Sequence, residues 1–381
     1  MGAREILTAD KTKIAPRPQP VIAPLNVRAR IGRPQPKGLP VINMSFNECP
    51  FGPSAPVAEA IVRAARRANR YGDPSCAQLR QVLAQRNGIP PDNIICGNGS
   101  EELLDVIGRV FAGKGDEIVI SQYGYIQFPI VANRVGATLV RAPEKNFTSD
   151  ADTLLASITP RTKIVFLANP NNPTGTLMPM AELERLAENL PETVVLVIDI
   201  AYGEFAGFDY CAEVHELAGR FSNVAVTRTF SKAYGLAGLR AGWCHAPEWM
   251  MPLLYAGRGM GTVNALAQAA ALAALDDMDT VRANTSLIVA ERDRVAGALD
   301  RIGFETLASK ANFLLVRPPN PARERTEMLA DHLFDDAGIL VNLTREAGLE
   351  NFFRFSLSLP EHNDQLIECL ARLNDMPAPV R

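Results

Sequence analysis

From about Tyr71 to Ala270 the chain alternates short apolar runs with longer stretches whose apolar residues recur at helical spacing. That alternation restricts the architecture to a sheet covered by helices on both faces. Strands buried on both sides read as continuous apolar runs. On this criterion Asn93 to Cys96, Glu117 to Ser121, Thr138 to Arg141, Ile164 to Ala168, Val194 to Asp199, Asn223 to Thr229 and Ala241 to His245 are the predicted strands. Glu101 to Phe111, with Leu103, Leu104, Ile107, Val110 and Phe111 at helical spacing, is a predicted helix. No repeat of roughly 20 to 50 residues marks a solenoid. A chain of 381 residues that is 47% hydrophobic and 21% charged exceeds what one core usually holds, so two domains are expected. One long helical stretch from Ala265 to Leu299 leads into strands at Asn312 to Arg317 and Phe352 to Ser358. These belong to a smaller domain, completed by the segment around Ile42 to Ala68. The expected division is residues 69–275 for the large domain and residues 41–68 with 276–381 for the small one. Residues 1–40 carry prolines at 16, 18, 20, 24, 34, 36 and 40 and read as an extended arm.

Several function classes are disfavoured. The net charge is -3 and no basic stripe is visible. Arg63, Arg66, Arg67 and Arg70 fall at helical spacing, which is a solvated helix face rather than a nucleic-acid footprint. The six cysteines lack paired short spacings, as expected of reduced thiols rather than of a disulfide frame or a zinc site, and no metal centre is expected. No apolar run approaches the roughly 20 residues that span a bilayer, and the polar, proline-rich start lacks a signal-peptide core. Position 6 is Ile where a myristoylation motif after Gly2 needs serine or threonine. No membrane or nucleic-acid partner is expected, and the expected location is the cytoplasm.

The residues that carry chemistry cluster at the predicted strand ends. Lys232 lies in Thr229-Phe-Ser-Lys-Ala-Tyr-Gly-Leu-Ala-Gly-Leu-Arg240. A lysine amine condenses with aldehydes, while Thr229, Ser231 and Arg240 are residue types that hold a phosphate dianion. Asn169-Pro-Asn-Asn-Pro-Thr-Gly175 follows the apolar run Ile164 to Ala168, and Asp199-Ile-Ala-Tyr202 follows Val194 to Ile198. An aspartate at the end of such a run needs a partner, because an unpaired buried charge is costly. Gly97-Asn-Gly-Ser100 opens the predicted helix, whose first amides at Ser100 and Glu101 favour an anion. Arg354 is a lone guanidinium in the apolar run Phe352 to Ser356 and calls for an anionic partner.

Together with Asn47-Glu-Cys-Pro-Phe-Gly-Pro-Ser54 and Arg70-Tyr-Gly-Asp-Pro74, these motifs stand in one order along the chain. Over residues of about 40 to 375 the chain resembles the fold-type I aminotransferases, most closely the histidinol-phosphate aminotransferase group. The resemblance implies an aspartate-aminotransferase-like α/β fold, with a mostly parallel central sheet flanked by helices and a smaller α+β domain. It implies pyridoxal 5'-phosphate as cofactor, held as an aldimine by Lys232, and transfer of an amino group from a small-molecule donor to a 2-oxo acid, with 2-oxoglutarate expected. Displaced from the cofactor, Lys232 moves a proton during transamination. Asp199 keeps the cofactor's ring nitrogen protonated, and Tyr202 and Asn172 donate to its phenolic oxygen. Gly99, Ser100, Glu101, Thr229, Ser231 and Arg240 surround its phosphate, and Tyr123 stacks on its ring. Tyr71 reaches the phosphate of a neighbouring subunit, which implies a homodimer with shared active sites. Arg354, Asn47 and Asn342 are the expected substrate-binding residues.

Three departures from the family pattern bear on the donor. Asn342 stands where histidinol-phosphate enzymes usually carry an arginine for the substrate phosphate, and losing one charge-assisted contact typically weakens recognition by ~1.5 to 3 kcal/mol. Arg345 is a candidate substitute. Met260-Gly-Thr-Val-Asn264 replaces a segment with a large side chain, implying a roomier pocket, while Ile200 replaces a frequent glutamate without touching the expected cofactor contacts. The donors left open are histidinol phosphate, an aromatic amino acid or another amine. A decarboxylase of a phosphorylated amino acid, of the threonine-phosphate kind, and a non-catalytic cofactor-binding regulator are the alternatives.

Overall fold

The computed structural model describes residues 38–344 and 346–374. The arm read over residues 1–40 therefore lies outside the described residues except for its last three. Strand β1 (Ile42–Asn43) opens the described chain. The central sheet follows with β2 (Ile94–Gly97), β3 (Glu117–Ser121), β4 (Thr138–Ala142), β5 (Thr162–Ala168), β6 (Val195–Asp199), β7 (Val224–Thr229) and β8 (Gly242–His245). All seven coincide with the runs picked out in the sequence. Their spatial order is β2-β8-β7-β6-β5-β3-β4. Neighbours from β4 through β7 run parallel, whereas β8 is antiparallel to both β2 and β7.

The two-residue period of a strand sends successive side chains to opposite faces. Ile118, Ile120, Ile164, Phe166, Val195 and Val197 pack with Leu103, Leu104 and Phe128 of one helix layer. Val119, Val165, Leu167, Leu196 and Ile198 pack with Leu183, Leu186 and Val214 of the other. Burial on both sides is why these strands are unbroken apolar runs. The edge strand β4, partly solvated, is the one whose pattern loosens.

The second sheet has four antiparallel strands in the order β12-β13-β10-β9, formed by β9 (Glu305–Thr306), β10 (Phe313–Arg317), β12 (Asn342–Leu343) and β13 (Phe353–Ser356). A separate parallel pair joins β1 to β11 (Ile339–Leu340). Phe353 and Phe355 pack with Leu314, Leu333, Leu366 and Leu370 in the core under the helices Arg323–Ala337 and Pro360–Asn374. Period two places Phe352 and Arg354 on the opposite face.

Two expectations are corrected here. The single helical stretch from Ala265 to Leu299 is two helices, Ala265–Asp276 and Met278–Arg301, broken at Asp277 (φ -103°, ψ 46°), whose carboxylate accepts from Thr280 Oγ1 at 2.8 Å. The helix Ala55–Ala65, read from the sequence as part of the smaller domain, packs Val57 with Leu79, Leu83, Trp243 and Ala267 beside the central sheet. The preceding strand β1 and the residues just after it, from Met44 to Asn47, join the smaller unit.

Candidate active site

In sheets of this kind ligands bind beyond the carboxyl ends of the parallel strands. Here β5, β6 and β7 end at Ala168, Asp199 and Thr229, all of which wall one cavity. Because β8 runs back antiparallel, the connection from Phe230 to Ala241 is a local return, closed by Phe230 N donating to Ala241 O at 3.0 Å. That return carries Lys232 into the same cavity.

Lys232 Nζ donates to the carbonyls of Phe46 (3.0 Å) and Asn47 (3.1 Å) and lies 5.7 Å from the centroid of the Tyr202 ring. Burial, reinforced by the Arg354 charge, brings its pKa down to about 8. Asp199 is buried and accepts from Thr227 Oγ1 at 2.9 Å. Burial nevertheless raises its carboxyl to about 7, because one hydroxyl donor does not replace water around a full negative charge. Tyr202 Oη accepts from Asn47 Nδ2 at 2.9 Å, and burial lifts its phenol to about 12.

At the other end of the cavity Ser100 begins the helix Ser100–Phe111 after Gly99 (φ +85°). Ser231 N donates to Thr229 Oγ1 at 3.0 Å, Arg240 Nη1 donates to Ser231 Oγ at 3.2 Å, and Arg240 Nη2 donates to Glu101 Oε2 at 3.4 Å. The cup is built on missing side chains. A Cβ on Gly99 would lie 2.6 Å from Arg240 Nη2, and one on Gly242 would lie 2.4 Å from Ser100 N. Backbone amides, two hydroxyls and a guanidinium converging at a helix N-terminus form a fitting seat for a phosphate dianion.

A wider cavity of about 670 Å³ shares Lys232, Tyr202, Asn172, Glu101 and Tyr125 with the first and is bounded by Phe46, Asn47, Asn342, Thr344 and Arg354. Arg354 Nη1 donates to Asn172 Oδ1 and Nη2 to the Ser45 carbonyl at 2.8 Å, and the guanidinium lies 5.3 Å from the Phe313 ring centroid. Asn342 Nδ2 donates to the Ser45 carbonyl at 3.2 Å, so it stands at this wall as a neutral group.

The structure thus brings together Asn47, Gly99, Ser100, Glu101, Asn172, Asp199, Tyr202, Thr229, Ser231, Lys232, Arg240, Asn342 and Arg354. It does not bring Tyr123. Gly124 makes a tight turn after β3, with its N–H donating to Ser121 O at 2.9 Å, and the two flanking tyrosines diverge. Tyr123 stacks on Phe147 with centroids 5.8 Å apart, while Tyr125 walls both cavities and donates from Oη to Glu101 Oε1 at 2.5 Å. A tyrosine on each side of one glycine gave no way to choose from sequence. Tyr71 is fully exposed and borders neither cavity. Met260 is exposed and Asn264 caps the helix Ala265–Asp276 by accepting from Ala267 N at 2.8 Å, so this stretch does not widen the pocket of its own chain. Ile200 is buried in one face of the central sheet. Arg345 lies outside the described residues. Thr227 was not anticipated from sequence, because only strand pairing sets it opposite Asp199.

Comparison with known proteins gives one direction. The family model for aminotransferase class I and II matches residues 40–372. The histidinol-phosphate aminotransferase of Paramagnetospirillum magneticum is 39% identical over 363 residues, covering 93% of this chain and 98% of that protein. The one from Rhodospirillum centenum is 37% identical over 333 residues, covering 87% and 91%. Among solved structures, histidinol-phosphate aminotransferase from Sinorhizobium meliloti in complex with pyridoxal-5'-phosphate aligns with a TM-score of 0.83 at 33% identity, covering 88% of this chain and 90% of that one.

Proposed function

Since the chain belongs to the class I and II aminotransferases, a pyridoxal-phosphate-dependent family, we propose that its two joined cavities transfer an amino group from a histidinol-phosphate-like or aromatic donor to 2-oxoglutarate. One observation carries the reading: Lys232 and Asp199 wall the same cavity, whose far end is the anion cup of Ser100, Ser231 and Arg240. When bound, pyridoxal phosphate supplies an aldehyde that condenses with amines and a ring that accepts electron density from the donor Cα.

The chain's own groups do the rest. Ser100, Thr229, Ser231 and Arg240 hold the phosphate, with Gly99 and Glu101 shaping the cup. Asp199, pushed up to about 7 by burial, would be held ionised by the cofactor's cationic ring nitrogen and would keep that nitrogen protonated. Tyr125, which walls both cavities where Tyr123 borders neither, would be the aromatic that supports the cofactor ring. Tyr202 and Asn172 orient the ring edge. Lys232, with an amine near pKa 8, takes and returns the proton at the donor Cα. Arg354 grips the donor's anionic group, while Asn47 and the neutral Asn342 line the donor's path. A homodimer is part of the proposal, in which the fully exposed Tyr71 would reach the partner's phosphate. The six free cysteines suit a reducing cytoplasm. Among the described residues no helix is long and apolar enough to cross a membrane.

A donor panel against 2-oxoglutarate tests the proposal, with histidinol phosphate, phenylalanine, tyrosine, histidine and basic amino acids as donors. Glutamate formation with histidinol phosphate or an aromatic donor supports it. Carbon dioxide release without glutamate would replace it with decarboxylation, and a bound cofactor that never reaches its amine form would replace it with a regulator.

A further inference from the structure

Tyr123 borders neither cavity, yet it sits in a joint between the central sheet and the strand that carries Arg354. Its main chain belongs to the large unit: Tyr123 N donates to Glu144 Oε1 at 3.1 Å and its carbonyl accepts from Asn171 Nδ2 at 3.2 Å. Its ring belongs to the other side. Tyr123, Leu315, Leu349 and Phe352 form a small apolar cluster of their own, and Phe147, stacked on Tyr123, meets Phe352 edge-on at 5.5 Å and 67°.

The loop that receives this ring is the one that shapes the donor side. It begins at Thr344, whose hydroxyl donates to the carbonyls of Leu349 (2.5 Å) and Phe352 (2.8 Å), and it ends two residues before Arg354. Leu315 stands opposite Arg354 in the β10–β13 register, so cross-strand pairing sets both on one face with Phe352. Gly348 allows the close approach. Its φ is +95°, and a Cβ there would lie 2.7 Å from Tyr123 Oη.

Resting on the transaminase reading, we infer that Tyr123 is a positioning residue for the donor: its ring props the segment 346–352, and thereby holds Arg354 at its distance from Lys232. Close-packed joints transmit small displacements rather than absorbing them. A shift of about 1 Å in a group that orients substrate lowers efficiency on the order of a hundredfold. Tyr123 acts without touching the cofactor, which separates its effects from those of Tyr125.

The test uses the full-length holoenzyme with Tyr123→Ala, Tyr123→Phe and Gly348→Ala. For the best donor of the panel, Tyr123→Ala should raise KM about tenfold to a hundredfold. Its dissociation constant for pyridoxal phosphate, from absorbance titration, should stay within about twofold of wild type. Tyr123→Phe keeps the packed ring and should restore KM, and Gly348→Ala, which drives a methyl at Tyr123 Oη, should reproduce the rise. Hydrogen exchange gives a readout independent of turnover: Tyr123→Ala should open residues 346–352 while residues 229–240 stay protected. Unchanged exchange in the loop, an unchanged KM, or cofactor binding weakened as much as donor binding would each overturn the inference. Should Tyr123→Ala fail to fold, Gly348→Ala decides by the same KM and exchange criteria. A wild type that turns over no donor refutes the transaminase proposal, while the exchange experiment still decides the role of Tyr123.

Discussion

Gly242→Ala should cripple cofactor binding from a position that bears no functional side chain. The added Cβ would lie 2.4 Å from Ser100 N, 2.6 Å from Gly99 C and 3.0 Å from Arg228 O, all backbone atoms that no rotamer change can move aside. Ordinary contact begins near 3.4 Å, so the helix start must retreat by the difference from 2.4 Å, about 1 Å. An amide donor at ~2.9 Å from a phosphate oxygen then stands at ~3.9 Å, beyond hydrogen-bonding distance. Losing one hydrogen bond to a charged group weakens binding by ~1.5 to 3 kcal/mol. At ~1.4 kcal/mol per tenfold, the dissociation constant for pyridoxal phosphate should rise roughly 10- to 150-fold. Overpacking also lowers stability by ~1 to 3 kcal/mol, so binding is measured well below the melting temperature. Gly219→Ala, where a Cβ meets nothing within 4 Å, is the control. A folded Gly242→Ala protein that binds cofactor within twofold of wild type would refute the placement of the phosphate at Ser100.

Three other outcomes follow from the same geometry. The rate at which apoprotein takes up pyridoxal phosphate, followed by absorbance, should climb through a pH of about 8 and level off above it, because only the unprotonated Lys232 amine condenses. Arg354→Gln removes a cation that disfavours the ammonium form, so the midpoint should move to higher pH, and an unmoved or lower midpoint would contradict the electrostatic account. Asn342→Arg restores a charged donor at the wall of the wider cavity and should lower KM for phosphorylated donors roughly tenfold relative to unphosphorylated ones. Parallel changes for both donor types in initial-rate measurements would remove position 342 from phosphate recognition.

The central sheet was legible because a strand buried on both faces has no polar positions to blur it, as Ile164–Ala168 and Val195–Asp199 illustrate. The chemistry at strand ends was legible for the related reason that Asp199 and Lys232 interrupt apolar surroundings. What the chain did not disclose depends on turns and on which surface an apolar face meets. Helical periodicity runs through Asp277 unbroken, since only its dihedrals end the first helix. Val57 and Ala60 would suit either core, and the helix Ala265–Asp276 decides in favour of the large one. The choice between Tyr123 and Tyr125 rests on the turn at Gly124, a matter of direction that composition cannot express.

The return from β7 to β8 has a bearing on how the enzyme comes into being. The groups that one subunit places around its own bound phosphate lie between positions 99 and 240, and Lys232 is swung into place by a connection that closes on itself at little entropic expense. The donor's clamp instead joins Ser45 to Arg354 and Asn47 to Ser356, partners from near the two ends of the described chain. The residues of the vitamin's seat are therefore synthesised well before those of the grip on the amine, which must wait for strand β13 to emerge.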